Sequence, residues 1–112
     1  MMKDIDKLKQ FGADTDEGLS RCFGNTDFYL KLIDMALADP NFDKLQSSLS
    51  NEDYSAAFEA AHALKGVLGN LSLTPMYNLA SDMCEQLRPR QKVDCTAQAQ
   101  RLIDLKKELE TL

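Results

Sequence analysis

The sequence predicts an all-α fold, an antiparallel up-down four-helix bundle with short extra helices at the N-terminus. Three observations predict it. Apolar residues recur every three or four positions in one segment after another. No segment alternates apolar and polar residues between turn residues, so nothing reads as a strand. The breaks between periodic segments are short, and short connections make successive helices antiparallel neighbours. With 112 residues, 44% of them hydrophobic and 28% charged, the chain has the length and composition for one hydrophobic core and is expected to form a single domain over 1–112.

Each element follows from local signals. A first short helix is expected from about Lys3 to Phe11, stopped by Gly12. Asp14, with Glu17 three residues later, is a capping-box pattern for a second short helix, "EGLSRCF", ending at Gly24. Asn25 or Thr26 can cap a third, in which Phe28, Leu32, Met35 and Ala36 recur at helical spacing. At Asp39-Pro40 two outcomes stand open. Proline either starts a new helix with Asp39 as its cap, or kinks one long helix that continues through Leu45 and Leu49. After the turn "SNED", a helix should run from about Glu52 or Asp53 to Asn70. Thr74 as cap and Pro75 at the first helical position start the next, with a stripe of Met76, Leu79, Ala80, Met83 and Leu87. It should stop at Arg88, because the residue before Pro89 is pushed out of the α region. The last helix spans about Val93 to Glu110, with Cys95, Ala99, Leu102, Leu105 and Leu109 inward.

Composition excludes several classes of function. A net charge of −5 without a Lys/Arg stripe argues against nucleic acid and against an anionic membrane surface, and leaves a protein as the expected partner. No apolar run approaches a membrane span, and the charged N-terminus lacks a signal-peptide core, so the cytoplasm is the expected compartment. Cys22, Cys84 and Cys95 are an odd number without a CxxC pair, which disfavours disulfides and zinc and makes packing their expected role. One histidine cannot supply the paired Glu-x-x-His sets of a di-iron bundle, and neither a nucleophile elbow nor a Gly-rich phosphate loop occurs. No metal, no cofactor and no ATP binding are expected. Arg88 and Arg90 sit at a helix C-terminus, where the helix dipole is enough to account for them.

That lone histidine lies in "AAHALKGVLGN", Ala60 to Asn70, beside two helix-interior glycines that each cost roughly 0.8–1 kcal/mol relative to alanine. On a wheel of about 100° per residue with Ala57 at zero, Ala61, Leu64, Leu68 and Leu71 fall within about 40° of it and define the core face. His62 then lies near 140°, Lys65 near 80°, Gly69 near 120° and Gly66 near 180°, a solvent-facing group. Imidazole is a nucleophile that forms covalent intermediates. A phosphoryl group in transfer spreads negative charge over three oxygens, which a cation one turn away stabilises, and in-line transfer between two proteins needs room for a second backbone. These are the roles expected of His62, Lys65, and Gly66 with Gly69 respectively. Phe58, one turn earlier near 100°, is either an apolar docking contact or a core-edge aromatic.

The stretch "AHALKGVLGNLSL" resembles the signature of the histidine-containing phosphotransfer (HPt) domains of phosphorelays, A-H-x-L-K-G-x-x-[AG]-N-L-G-[AL]. Ala61, His62, Leu64, Lys65, Gly66, Gly69, Asn70 and Leu71 stand at its positions. Upstream, "GLSRCFGNTDFYLKLIDM" is similar to the family's opening, so the resemblance runs from about Glu17 to Leu112 and implies a free-standing module. It implies that His62 is the phosphoacceptor and that Lys65 contacts the phosphoryl group. It also implies partners, a histidine kinase or a response-regulator receiver domain whose aspartate and Mg²⁺ do most of the catalysis, and a monomeric carrier that is not itself a kinase. Two positions depart from the pattern. Ser72 replaces the usual glycine at the helix end. Cys84 replaces a frequent polar or acidic residue on the following helix, so that helix's contact to the phosphoryl group does not carry over. The rival reading is a four-helix adaptor that docks a signalling partner without carrying phosphate.

Overall fold

The computed structural model describes residues 4–112, and the expected helix start at Lys3 lies outside the described residues. Seven helices follow one another among them: α1 (Ile5–Phe11), α2 (Thr15–Arg21), α3 (Thr26–Leu37), α4 (Asn41–Ser50), α5 (Tyr54–Asn70), α6 (Thr74–Leu87) and α7 (Thr96–Glu110). Asp4, Asp14, Asn25 and Asp53 each accept a hydrogen bond from the backbone N–H three residues on, which fixes the starts of α1, α2, α3 and α5. Gly12 ends α1 at φ 116°, a conformation that side chains avoid.

Pro40 starts a new helix. The Asp39 carboxylate accepts from the Asn41 N–H at 2.8 Å, and the chain breaks between α3 and α4 instead of bending through. Together α3 and α4 form one leg of the bundle; α5, α6 and α7 form the other three, joined by short connections that alternate their direction. Several starts differ from expectation by one to three residues: α2 begins at Thr15, ahead of Glu17, and α5 at Tyr54, with Asp53 as its cap. Thr74 is already helical, with Leu73 at the cap position and Pro75 second. The last helix begins at Thr96, whose N–H is held by Asp94, so Val93 to Cys95 are not helical.

The core lies where α4–α7 meet, with Leu45, Leu64, Leu68, Met76, Met83, Leu87 and Leu102 fully or almost fully buried. Each such side chain contributes about 1.5–3 kcal/mol by leaving water. On α3 the buried stripe is Tyr29, Ile33, Ala36 and Leu37, one position round from the expected one, and Phe28 and Met35 face solvent. Tyr29 explains the rotation. Its hydroxyl donates to the Leu71 carbonyl at 2.7 Å, and Gly18 on α2 leaves the space its ring occupies, where any Cβ would collide. Burial pushes the Tyr29 phenol up to about 12, which keeps it a donor.

The short N-terminal helices close one end of the bundle, and α2 holds the end of α5. That helix finishes in a Schellman turn, with Leu73 N–H donating to Leu68 and Ser72 N–H to Gly69. Ser72 takes the left-handed conformation, φ 57°, that glycine would adopt without strain. Its hydroxyl donates to Glu17 on α2 at 2.9 Å, and its carbonyl accepts from the Asp14 N–H at 2.9 Å. Arg21, paired with Glu17 at 3.0 Å, caps the Gly69 carbonyl at 2.9 Å. The capping box foreseen at Asp14 is thus half made: Asp14 holds the Glu17 N–H, and the Glu17 carboxylate turns to Ser72 and Arg21.

Candidate functional site

His62 stands halfway along α5 with its ring exposed, while Ala57, Ala61, Leu64 and Leu68 on the same helix are buried, as the wheel requires. Its Nδ1 faces the Cys84 sulfur of α6 at 3.8 Å. Cys84 itself is fully buried, so this nitrogen is turned against the protein and Nε2 is left to solvent. The other side of the setting is Phe58, stacked on the imidazole at 5.9 Å between centroids with 25° between planes. A thiol is a weak donor and acceptor, so the contact serves to orient the ring.

A groove of about 570 Å³ opens beside the ring. His62, Lys65, Gly66, Gly69 and Asn70 of α5 line one wall, Thr74, Tyr77 and Asn78 of α6 another, and Glu17 and Arg21 of α2 its end. Lys65, half-buried, is one turn from His62 on this wall. The two glycines, expected to be alike, are not. A Cβ at Gly66 would meet no atom within 4 Å, whereas one at Gly69 would lie 3.0 Å from the Tyr77 ring. Gly66 faces open space. Gly69 borders the groove but lets Tyr77 close on α5, so its lack of a side chain has a packing reason that the outward reading omitted.

Phe58 is half-buried against the core edge, and its ring is already engaged: besides His62, the Arg90 guanidinium lies 4.7 Å and the Arg88 guanidinium 5.5 Å from its centroid. The dipole account of these arginines is therefore incomplete, because both turn back from the end of α6 onto α5. Arg88 also holds Glu85 through two hydrogen bonds, at 2.8 and 3.2 Å. Those bonds, then the Arg88 charge, with Lys65 adding a smaller part, hold the Glu85 carboxyl below its ordinary range. The surface on this side of His62 is cationic and aromatic.

Sequence reasoning brought together His62, Lys65, Gly66, Gly69 and Phe58; the structure adds Tyr77, Glu17 and Arg21 around the groove, while Arg90 lies outside it, over Phe58. Tyr77 had a signal, since it stands seven residues before Cys84 on one face of α6. Glu17 and Arg21 had none, because only the return of α2 to the end of α5 brings them there. Cys22, Cys84 and Cys95 are all buried, and no helix among the described residues is long and apolar enough to cross a membrane.

No curated protein and no solved structure matches this chain. The family model of the Hpt domain matches residues 35–112, from the last turn of α3 onward, beginning later than the resemblance read from Glu17. Well over half of the chain is covered, including the whole of α5 with its exposed histidine, and the chain therefore belongs to the Hpt domain family of helical-bundle modules for histidine phosphotransfer in phosphorelay signalling.

Proposed function

We propose that this protein is a cytoplasmic, monomeric phosphorelay intermediate that accepts a phosphoryl group on His62 and exchanges it with the aspartate of a receiver domain. The observation that carries the reading is the exposed imidazole with Nδ1 against Cys84 and a clear surface at Gly66. Nε2 attacks the phosphorus of the partner's acyl phosphate. A P–N bond forms as the P–O bond to the aspartate breaks, the carboxylate leaves, and the imidazole proton stays on Nδ1. Lys65 balances charge on the phosphoryl oxygens as they pass, and Gly66 lets the partner's backbone come close enough for an in-line path. Gly69 and Tyr77 shape the groove wall. No group here is assigned to cleaving ATP, so the phosphoryl group has to come from a kinase or receiver partner.

The test is incubation with receiver domains charged by acetyl phosphate. Acid-labile, base-stable label should move onto this chain, and ATP with Mg²⁺ alone should leave it unlabelled. Receiver binding without any label on the chain would instead support the adaptor reading, and labelling by ATP alone would mean a kinase.

A further inference from the structure

The α6–α7 connection carries a feature that the phosphoacceptor chemistry does not use. Pro89 ends α6, and the chain then turns through Arg90 at φ 56°, held by its N–H donating to the Leu87 carbonyl at 2.8 Å. A left-handed arginine is unusual and unfavourable without a reason to persist. The turn carries the Arg90 guanidinium over Phe58 at 4.7 Å, and Phe58 stacks on His62. Arg88 lies over the same ring, but its charge is largely matched by Glu85. Arg90 makes no ion pair among the described residues. An exposed, unmatched cation is thus braced by an aromatic ring beside the phosphoacceptor, in a chain of net charge −5.

We infer that Arg90 is a docking cation, and that the partner surface which meets this edge of the site carries a carboxylate opposite it. The inference rests on the phosphocarrier reading and adds the chemistry of the partner's rim. Resting on Phe58 restricts the long side chain before the partner arrives, which lowers the entropy lost on pairing. It also positions the charge so that an acidic surface is drawn toward His62, and the net negative charge of the rest of the molecule disfavours other orientations. Glu85, already engaged by Arg88, does not cancel it.

The experiment uses the full chain and a receiver domain that exchanges phosphoryl groups with it. Transfer is followed over a series of salt concentrations for wild type, Arg90→Gln and Arg90→Glu, and labelling by the small donor phosphoramidate, which needs no protein docking, is measured alongside. Arg90→Gln should raise KM about two- to fivefold, the range of an exposed ion pair, and flatten its rise with salt, with kcat little changed. Arg90→Glu should raise KM further, and phosphoramidate labelling should be equal in all three. An unchanged KM and salt slope in Arg90→Gln would overturn the inference. So would an equal loss of phosphoramidate labelling, because Arg90 would then act on His62 and not on a partner. Absence of phosphoramidate labelling in the wild type would strike the phosphocarrier reading itself, a separate failure.

Discussion

The groove beside His62 has an open side and a closed side, only three residues apart on one helix. At Gly66 the surface is bare, with nothing within 4 Å of a would-be Cβ. At Gly69 the Tyr77 ring closes over the helix, and the neighbouring turn is tied to α2 through Ser72, Glu17 and Arg21. Identical residues in one motif therefore answer to different demands. On the open side, substitutions should change transfer and leave folding nearly untouched. On the closed side they should change folding first. The difference teaches that a glycine in a functional motif has to be read by what stands over it, because helix propensity is the same at both positions.

The largest effect expected is at His62. His62→Gln should abolish labelling from a phosphorylated receiver and leave the thermal midpoint unchanged within about two degrees, since an exposed substitution away from caps costs within about 0.5 kcal/mol. Residual stable label would remove His62 from the open side's chemistry. Next is Gly66→Leu, in which a side chain in the cleared space holds the partner off. A misplacement of about 1 Å can slow transfer on the order of a hundredfold. Its stability should hold or rise, because leucine is a better helix former than glycine by up to about 1 kcal/mol. If melts showed a loss of several kcal/mol instead, the open side would be a packing surface.

Lys65→Ala should slow transfer about tenfold to a hundredfold, the effect of losing one stabilising contact of about 1.4–2.7 kcal/mol to a charged group. Equal rates would reduce Lys65 to a solvated charge. Gly69→Leu should behave in the opposite sense to Gly66→Leu. Overpacking against Tyr77 should destabilise the fold by about 1–3 kcal/mol, and Gly69→Ala by less, since the ring has only to give a few tenths of an ångström. Urea unfolding of the two leucine variants side by side tests the comparison directly, and equal stabilities would erase it. The smallest effect belongs to Ser72→Gly. Relief of the left-handed strain and loss of the Glu17 hydrogen bond, each about 1 kcal/mol, should nearly cancel, and a change above about 2 kcal/mol would show that one of the two dominates.

What could be read from the sequence is what depends on near neighbours along the chain. Asp14 and Asn25 cap helices because a short polar side chain reaches a backbone N–H three residues on, and that relation is visible as spacing. The face that His62 shares with Lys65 and Gly66 follows from 3.6 residues per turn, once the leucines of α5 mark the core. On α3 periodicity pointed to Phe28, Leu32, Met35 and Ala36, whereas the buried stripe is Tyr29, Ile33, Ala36 and Leu37. The choice fell to Tyr29 because Gly18 of another helix leaves room for its ring and Leu71 offers its hydroxyl an acceptor. The same holds for Tyr77 over Gly69, Arg90 over Phe58, and Glu17 on Ser72. Sequence alone determined the helices, the bundle and the exposed histidine, because caps and amphipathic periods are local. Which glycine is open, which arginine stands free and what closes the end of the groove were decided by tertiary structure, because each depends on how one helix is set against another, and no spacing within a single helix encodes that.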